Sequence, residues 1–259
     1  MSNLLGKWQQ YVLLQQHPLT SKSIPETTLY SLNNLIDFIN RYDYVYVKHD
    51  TTGQGRAMYK VHKRNDGLFC FNGFNVQGEH YNKCVEAIED FHQHLYPFEK
   101  IGRSGGNNYI IQEGIKSLKP NGQPFHIRVH LQFLNGKWLI GGMFGMIGMG
   151  SAMDTGIVNS HRGGQAISVN ELLSEHVKMD DNEKKDVIDC LKQVSIAAAE
   201  AIVPYFPNRE YGIDFGINTD GKPMLFEVNI TPGIGVFARI ENKTIWRRIV
   251  EIRKLQNGS

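Results

Sequence analysis

The segment from Tyr211 to Asn229 reads as two strands joined at Asp220-Gly221, a dipeptide that favours a tight hairpin turn. With the turn centred there, Asp214 and Glu227 fall directly opposite each other, and Asn229, two residues on, shares the face of Glu227. Opposed residues have Cβ atoms about 4.5–5.5 Å apart, and like charges so placed destabilise a sheet. Ile213, Phe215, Leu225, Phe226 and Val228 flank the acids, which implies burial and raises the cost of an unneutralised pair. A divalent cation removes that conflict. Two carboxylates and an amide carbonyl are oxygen ligands, which favour magnesium or manganese over zinc. Two alternatives stay open: a solvated hairpin whose acids face water or nearby lysines, and a three-residue loop with a bulge that breaks the register.

Phosphate-handling chemistry has weaker candidates. Lys48 ends a strand and precedes Thr51-Thr52-Gly53-Gln54-Gly55-Arg56; backbone N–H groups of a glycine-bearing loop can approach phosphates where side chains are absent. Arg128 projects from the polar face of its strand beside His126 and His130, and Asn159-Ser160-His161-Arg162-Gly163-Gly164 can wrap an anion. Each has a plainer reading as an ordinary turn, an exposed structural arginine or a surface loop. The phosphate loop GxxxxGK[ST], the dinucleotide fingerprint GxGxxG, the zinc motif HExxH and the hydrolase elbow GxSxG are all absent, so the chemistries they carry have no support.

The elements that must position these residues follow from periodicity. Residues 4–16 read as a helix ended by His17-Pro18, and Ser31 to Asn40 as a second, with Leu32, Leu35, Ile36 and Ile39 on one side. Strands are expected at Tyr44 to Lys48, Arg56 to His62 and Leu68 to Phe74, and again at Tyr109 to Gln112. Lys83 to Leu95 reads as helical. Phe125, Ile127, Val129, Leu131 and Phe133 alternate with His126, Arg128, His130 and Gln132, the pattern of a half-buried strand with a polar face. Asn135-Gly136 turns it into a strand starting near Trp138. Val187, Leu191, Val194, Ala198 and Ala201 keep a helical spacing, and Thr244 to Leu255 reads as a closing helix.

At 259 residues the chain makes one large domain or two small lobes. Its 28 Lys+Arg against 26 Asp+Glu leave a net charge of +2, so no clustered basic face argues for nucleic acid. Cys70, Cys84 and Cys190 are scattered and odd in number, which supports neither a disulfide framework nor a cysteine zinc site and suits a reduced intracellular protein. No signal-peptide pattern opens the chain, and the stretch from Trp138 to Met153 is too short and too glycine-rich for a membrane span. A soluble, cytoplasmic protein is expected.

Taken in chain order, Pro25-Glu26-Thr27, Tyr46-Val47-Lys48, Gln112-Glu113-Gly114-Ile115, Ile127-Arg128-Val129, Asn159 to Gly164, Gly212-Ile213-Asp214 and Glu227-Val228-Asn229-Ile230-Thr231-Pro232-Gly233 resemble an ATP-grasp protein. The match is to the YheC/YheD group associated with endospore coats and, more distantly, to ribosomal-protein S6 glutamate-ligase-like enzymes. It runs from Lys7-Trp8 to about Phe237. Proteins of this group often carry an extra N-terminal region, and the chain is expected to start near the ATP-grasp part.

The resemblance implies an α+β ATP-grasp fold: two lobes gripping ATP in a cleft between antiparallel sheets. Residues 1–42 would be an N-terminal helical segment, 43–112 the small glycine-loop lobe, and 113–259 the large lobe with the metal-binding hairpin. Lys7 and Lys48 would contact ATP phosphates, Gln112, Glu113 and Ile115 would hold adenine, and His126 would stand near the ribose. Arg128, Asn159 and Arg162 would line the γ-phosphate and acceptor region, while Asp214, Glu227 and Asn229 would hold magnesium, with manganese as the substitute ion.

Two departures bear on activity. His126 stands where the family usually has Asp, and Met146 where related proteins carry an arginine. Methionine cannot stabilise developing phosphate charge, and Arg162 is the candidate to replace it. The function implied is an ATP-dependent carboxylate–amine or carboxylate–thiol ligase acting through an acylphosphate on a small-molecule or peptide acceptor. The alternatives are a nucleotide-binding pseudoenzyme or structural spore-coat component, and a phosphotransferase that stops at phosphorylation. The resemblance also implies an association with the spore coat.

Overall fold

The computed structural model describes residues 5–99 and 109–257; the expected helix start at Leu4 lies outside them. Two antiparallel sheets organise the chain. The first has the order β1 (Thr27–Leu29), β6 (Tyr109–Glu113), β2 (Val45–His49), β3 (Met58–Lys63), β4 (Phe69–Phe74) and β5 (His80–Val85). The second runs β11 (Pro223–Asn229), β10 (Glu210–Ile217), β7 (Phe125–Leu134), β8 (Lys137–Ile147) and β9 (Gln165–Ile167). The α+β, two-sheet architecture expected from the sequence is thus the one observed.

Helices cover the sheets where the apolar spacing requires. The second helix, α2 (Leu32–Arg41), begins at Ser31, whose side chain accepts from the Asn34 N–H, and buries Leu35, Phe38 and Ile39. It joins α3 (Glu89–Glu99) over the six-stranded sheet, where Val45, Val47, Tyr59, Val61 and Phe91 are sealed from solvent. The first helix, α1 (Lys7–Gln15), instead contributes Leu13 and Leu14 to the core of the five-stranded sheet. There it meets α6 (Asp181–Ile202), which opens on a capping box made by Asp180 and Glu183. Two short helices, α4 (Ala152–Thr155) and α5 (Val169–Glu171), lie between β8 and α6, and α7 (Thr244–Asn257) closes the fold.

Three expectations are corrected. The helix expected from Lys83 starts only at Glu89, because residues 80–85 are taken up by the ladder with β4. Long-range strand pairing there overrides a short local spacing. That ladder sets Cys70 opposite Cys84, and the two form a disulfide, leaving Cys190 as the free thiol among the described residues. Finally, the polar face of β7 is divided. His126 and Arg128 open on a cleft, whereas His130 and Gln132 are each 0% exposed, with Phe237 against His130 and the Ile249 carbonyl of α7 accepting from Gln132.

The β7–β8 turn uses Asn135 and Gly136 at φ of 49° and 76°, the left-handed pair that a two-residue hairpin of this twist demands. No helix among the described residues is long and apolar enough to cross a membrane.

Candidate functional site

A cleft of about 630 Å³ lies between the sheets and is lined by both. From the six-stranded sheet, alternation along β2 puts Tyr46 and Lys48 on the cleft side, in step with Tyr44 just before the strand. The Lys48 ammonium donates to Gln112 Oε1 at 2.5 Å, and Gln112 Nε2 donates to Thr27 Oγ1 at 3.1 Å. Gln112 therefore anchors the lysine. Burial pushes the Lys48 pKa down to about 8, with Lys7 adding to the effect and Glu227 and Asp214 opposing it.

Lys7 enters from the first turn of α1. That turn is docked on the loop after β2: the Lys7 N–H donates to the Asp50 carbonyl at 3.0 Å and the Trp8 N–H to Asp50 Oδ1 at 2.8 Å. Its ammonium donates to the Thr52 carbonyl at 2.6 Å and lies 3.6 Å from Glu227 Oε1. One cation thus spans the glycine loop and the acidic hairpin.

On the five-stranded sheet, Asp214 is opposed by Glu227 on β11 and by Arg128 on β7. Arg128 clasps it with two bonds, Nε to Oδ1 and Nη2 to Oδ2, the latter at 2.6 Å. Room for this comes from Gly212, where a Cβ would stand 2.9 Å from Arg128 Nη1. The expected like-charge conflict is real, but the protein relieves it with its own cations, Arg128 on Asp214 and Lys7 on Glu227. Asn229 shares the face, and its Oδ1 accepts the Thr231 N–H at 2.9 Å.

His126 sits 3.9 Å from Asp214 and is hydrogen-bonded to the Val158 backbone. Burial lowers its pKa, so it is neutral near pH 7. Asn159 lines the cleft and donates to the Gln54 carbonyl at 3.1 Å, tying its loop to the glycine loop. Glu113 and Ile115 also line the cleft, with the Ile115 carbonyl accepting from the Tyr44 hydroxyl at 2.7 Å.

Arg162 is the expected site residue that is placed elsewhere. Its guanidinium covers the Phe74 ring at 3.4 Å and donates to the Gly78 carbonyl at 3.2 Å, so it does not fill the place beside Met146. Met146 is 1% exposed, packed with Phe144 and Phe237 in an apolar cluster that forms part of the cleft wall.

Arg56, read from the sequence only as the end of the glycine loop and the start of a strand, also lines the cleft; sequence reasoning missed Lys60, Arg239 and the aromatic lining of Tyr44, Tyr46, Phe144 and Phe226. The two tyrosines were findable, since they alternate in step with Lys48. Arg239 carried no signal, because it comes from a 3-10 turn after the hairpin. In all, six lysine and arginine side chains line the cleft against three carboxylates. A surplus of about three positive charges in a walled cleft concentrates a polyanion such as a triphosphate.

Two carboxylates and an amide on one face are hard oxygen donors, the set that suits magnesium when phosphates supply the remaining ligands. Among the described residues no group of three or more His, Cys, Asp or Glu forms a cage by itself. Asp214, Glu227 and Asn229 therefore fit a metal that arrives with phosphate and do not form an all-protein centre.

A YheC/D-like ATP-grasp family model matches residues 2–253. The endospore coat-associated protein YheD of Bacillus subtilis (strain 168) is 25% identical over 240 residues, covering 90% of this chain and 49% of the relative. The chain thus spans about half the length of that relative. Among solved structures, D-cycloserine synthetase DcsG superimposes with a TM-score of 0.57 at 15% identity, over 98% of this chain and 71% of that one. Biotin carboxylase of Campylobacter jejuni, solved as a β-γ-ATP complex, gives 0.58 at 13% identity over 96% and 46%. The D-alanine–D-alanine ligase of Coxiella burnetii gives 0.54 at 10% over 98% and 59%. At these identities the likeness is one of fold.

Proposed function

The chain belongs to the YheC/D-like ATP-grasp family, and on that premise we propose that it binds ATP with magnesium in the cleft and uses it to ligate a carboxylate to an amine or a thiol. The observation that carries this reading is the convergence of Lys7, Lys48 and Arg128 with Asp214 and Glu227 in one cleft walled by two sheets. In that reading Lys7 and Lys48 meet the phosphates, Tyr44, Tyr46 and Phe226 enclose the base beside Glu113 and Ile115, and Asp214, Glu227 and Asn229 hold the ion. When bound, the ion would supply charge neutralisation for the phosphates.

An acceptor carboxylate oxygen bonds to the γ-phosphorus while the bond to the β–γ bridging oxygen breaks, and ADP leaves with that electron pair. The amine or thiol then bonds to the acyl carbon, phosphate departs, and the nucleophile gives up a proton. The protein's part is placement and charge balance. The acceptor is a small-molecule or peptide carboxylate, and the likeness to YheD supports an association with the endospore coat.

Purified protein with Mg-ATP should release ADP when acid and amine panels include its substrates. A second reading, a nucleotide-binding protein without turnover, is favoured by the apolar wall at Met146 and by Arg162 lying off the cleft. ATP binding with no ADP release across amino-acid, peptide and organic-acid panels would establish that second reading. Phosphorylated acid without amide or thioester would instead indicate a phosphotransferase. An absence of ATP binding in any buffer with magnesium would sink all three.

A further inference from the structure

The carboxylate that would hold the metal is already held by a cation of the protein. Both oxygens of Asp214 face the Arg128 guanidinium, and the side chains are only 20% exposed for Asp214 and 17% for Arg128. Register makes the pairing structural, since Arg128 and Asp214 are direct partners on β7 and β10. A metal ion arriving alone would have to displace the guanidinium and leave it without a counter-charge in a poorly solvated place. The same holds more weakly for Lys7 beside Glu227. A triphosphate changes the balance, because its oxygens offer the displaced cations new partners while the carboxylates turn to the metal.

We propose that Arg128 makes metal binding conditional on nucleotide: it blocks Asp214 in the free protein and releases it only in exchange for phosphate. The inference rests on the ATP reading above and adds an order to it. Metal and triphosphate then bind cooperatively, each raising the affinity for the other by the same factor. Arg128 acts as a positioning residue in the free protein and as a phosphate ligand in the complex.

The test is direct binding of manganese, followed by the paramagnetic resonance signal of the free ion, with no nucleotide present. Wild-type protein should bind it weakly, and Arg128→Gln should bind it at least ~10-fold more tightly, within the usual range of coupling between sites. Arg128→Lys, which keeps one contact, should fall between them and serves if the glutamine variant does not fold. Adding Asp214→Asn to Arg128→Gln should abolish the gain. In calorimetry the wild-type affinity for ATP should rise on adding magnesium, and that rise should shrink in Arg128→Gln. The proposal is overturned if Arg128→Gln and Arg128→Lys bind manganese no better than wild type, or if wild type binds it tightly alone. Wild-type protein that binds no ATP with or without magnesium overturns the ATP reading instead, and the manganese comparison distinguishes the two failures.

Discussion

Asp214 faces Glu227 across the β10–β11 ladder, yet the neighbouring pair, Phe215 and Leu225, is one residue out of step with them. The extra residue is Phe226. The loop closes on Asn218 and Lys222, with the Asn218 N–H donating to the Lys222 carbonyl at 3.0 Å and Gly221 at φ 75°. It therefore holds three residues, where the sequence suggests two. The bulge at Phe226 returns the missing position, so the opposition of the two acids survives. It also adds an aromatic ring to the cleft side of β11, between buried Leu225 and cleft-facing Glu227.

Phe226→Ala should weaken ATP binding by about 5- to 150-fold, the range for losing a stacked base, and should leave binding of inorganic tripolyphosphate unchanged. Calorimetry with both ligands makes the comparison. An equal loss for both would place Phe226 beside the phosphates and not the base.

What the sequence shows and what it hides divide along physical lines. Strand alternation from Phe125 to Val129, the Asn135-Gly136 turn and the Ser31 cap are local, and each is found where its chemistry places it, whereas beyond the irregularity at His130 and Leu131 the alternation fails and Phe133 is 37% exposed. The pairing of Arg128 with Asp214 joins residues 86 apart, and no local rule decides whether an arginine clasps a carboxylate or faces a ligand. Sealing of His130 and Gln132 depends on where the last helix docks. The Cys70–Cys84 bond depends on the register of β4 and β5, which the helical spacing after Lys83 concealed.

Lys48 gives the ATP site a pH dependence of definite sign. With its pKa near 8 against an ordinary 10.5, it loses its charge in the free protein as pH rises through 8, and phosphate affinity should fall between pH 7 and about 9.5. Folding stability moves the other way. From pH 8 to 10.5 the unfolded lysine holds a proton that the folded one has lost, so this residue's contribution to stability rises with pH. Lys48→Met should weaken ATP binding at pH 7 and flatten both profiles. Affinity in the wild type that stays constant across the range would remove Lys48 from the phosphate contacts.

The Cys70–Cys84 bond closes a loop of 14 residues in sequence separation, for which chain entropy suggests about 3 kcal/mol of stabilisation. Thiol titration of native protein purified without reductant should find one reactive group on denaturation, Cys190, and three after reduction. Urea unfolding should shift to lower concentration by an amount corresponding to about 2–3 kcal/mol when reductant is added. Three thiols before reduction would show that the pair is open in solution.

The last helix is pinned by Glu210, and this contact should fail in acid. Arg253 donates to Glu210 through Nε at 2.8 Å and Nη2 at 2.5 Å, Gln132 adds a bond at 2.9 Å, and His130 Nε2 stands 3.5 Å away. Burial pushes the Glu210 carboxyl up, but these donors more than offset it and hold its pKa at about 2, against an ordinary 4.5. A carboxylate lowered in this way stabilises the fold fully above pH 4.5, and that contribution is lost as pH falls from 4.5 toward 2. Arg253→Met leaves Glu210 without its main partner, and since the Arg253 side chain is 37% exposed the cost should be about 2–3 kcal/mol at pH 7, below that of a fully buried pair. Urea unfolding at several pH values should show the gap between wild type and variant narrowing below pH 4.5. Because neither residue lines the cleft, ATP affinity of the folded variant should stay at the wild-type value; a parallel loss of nucleotide binding would mean that the seating of α7 reaches the site.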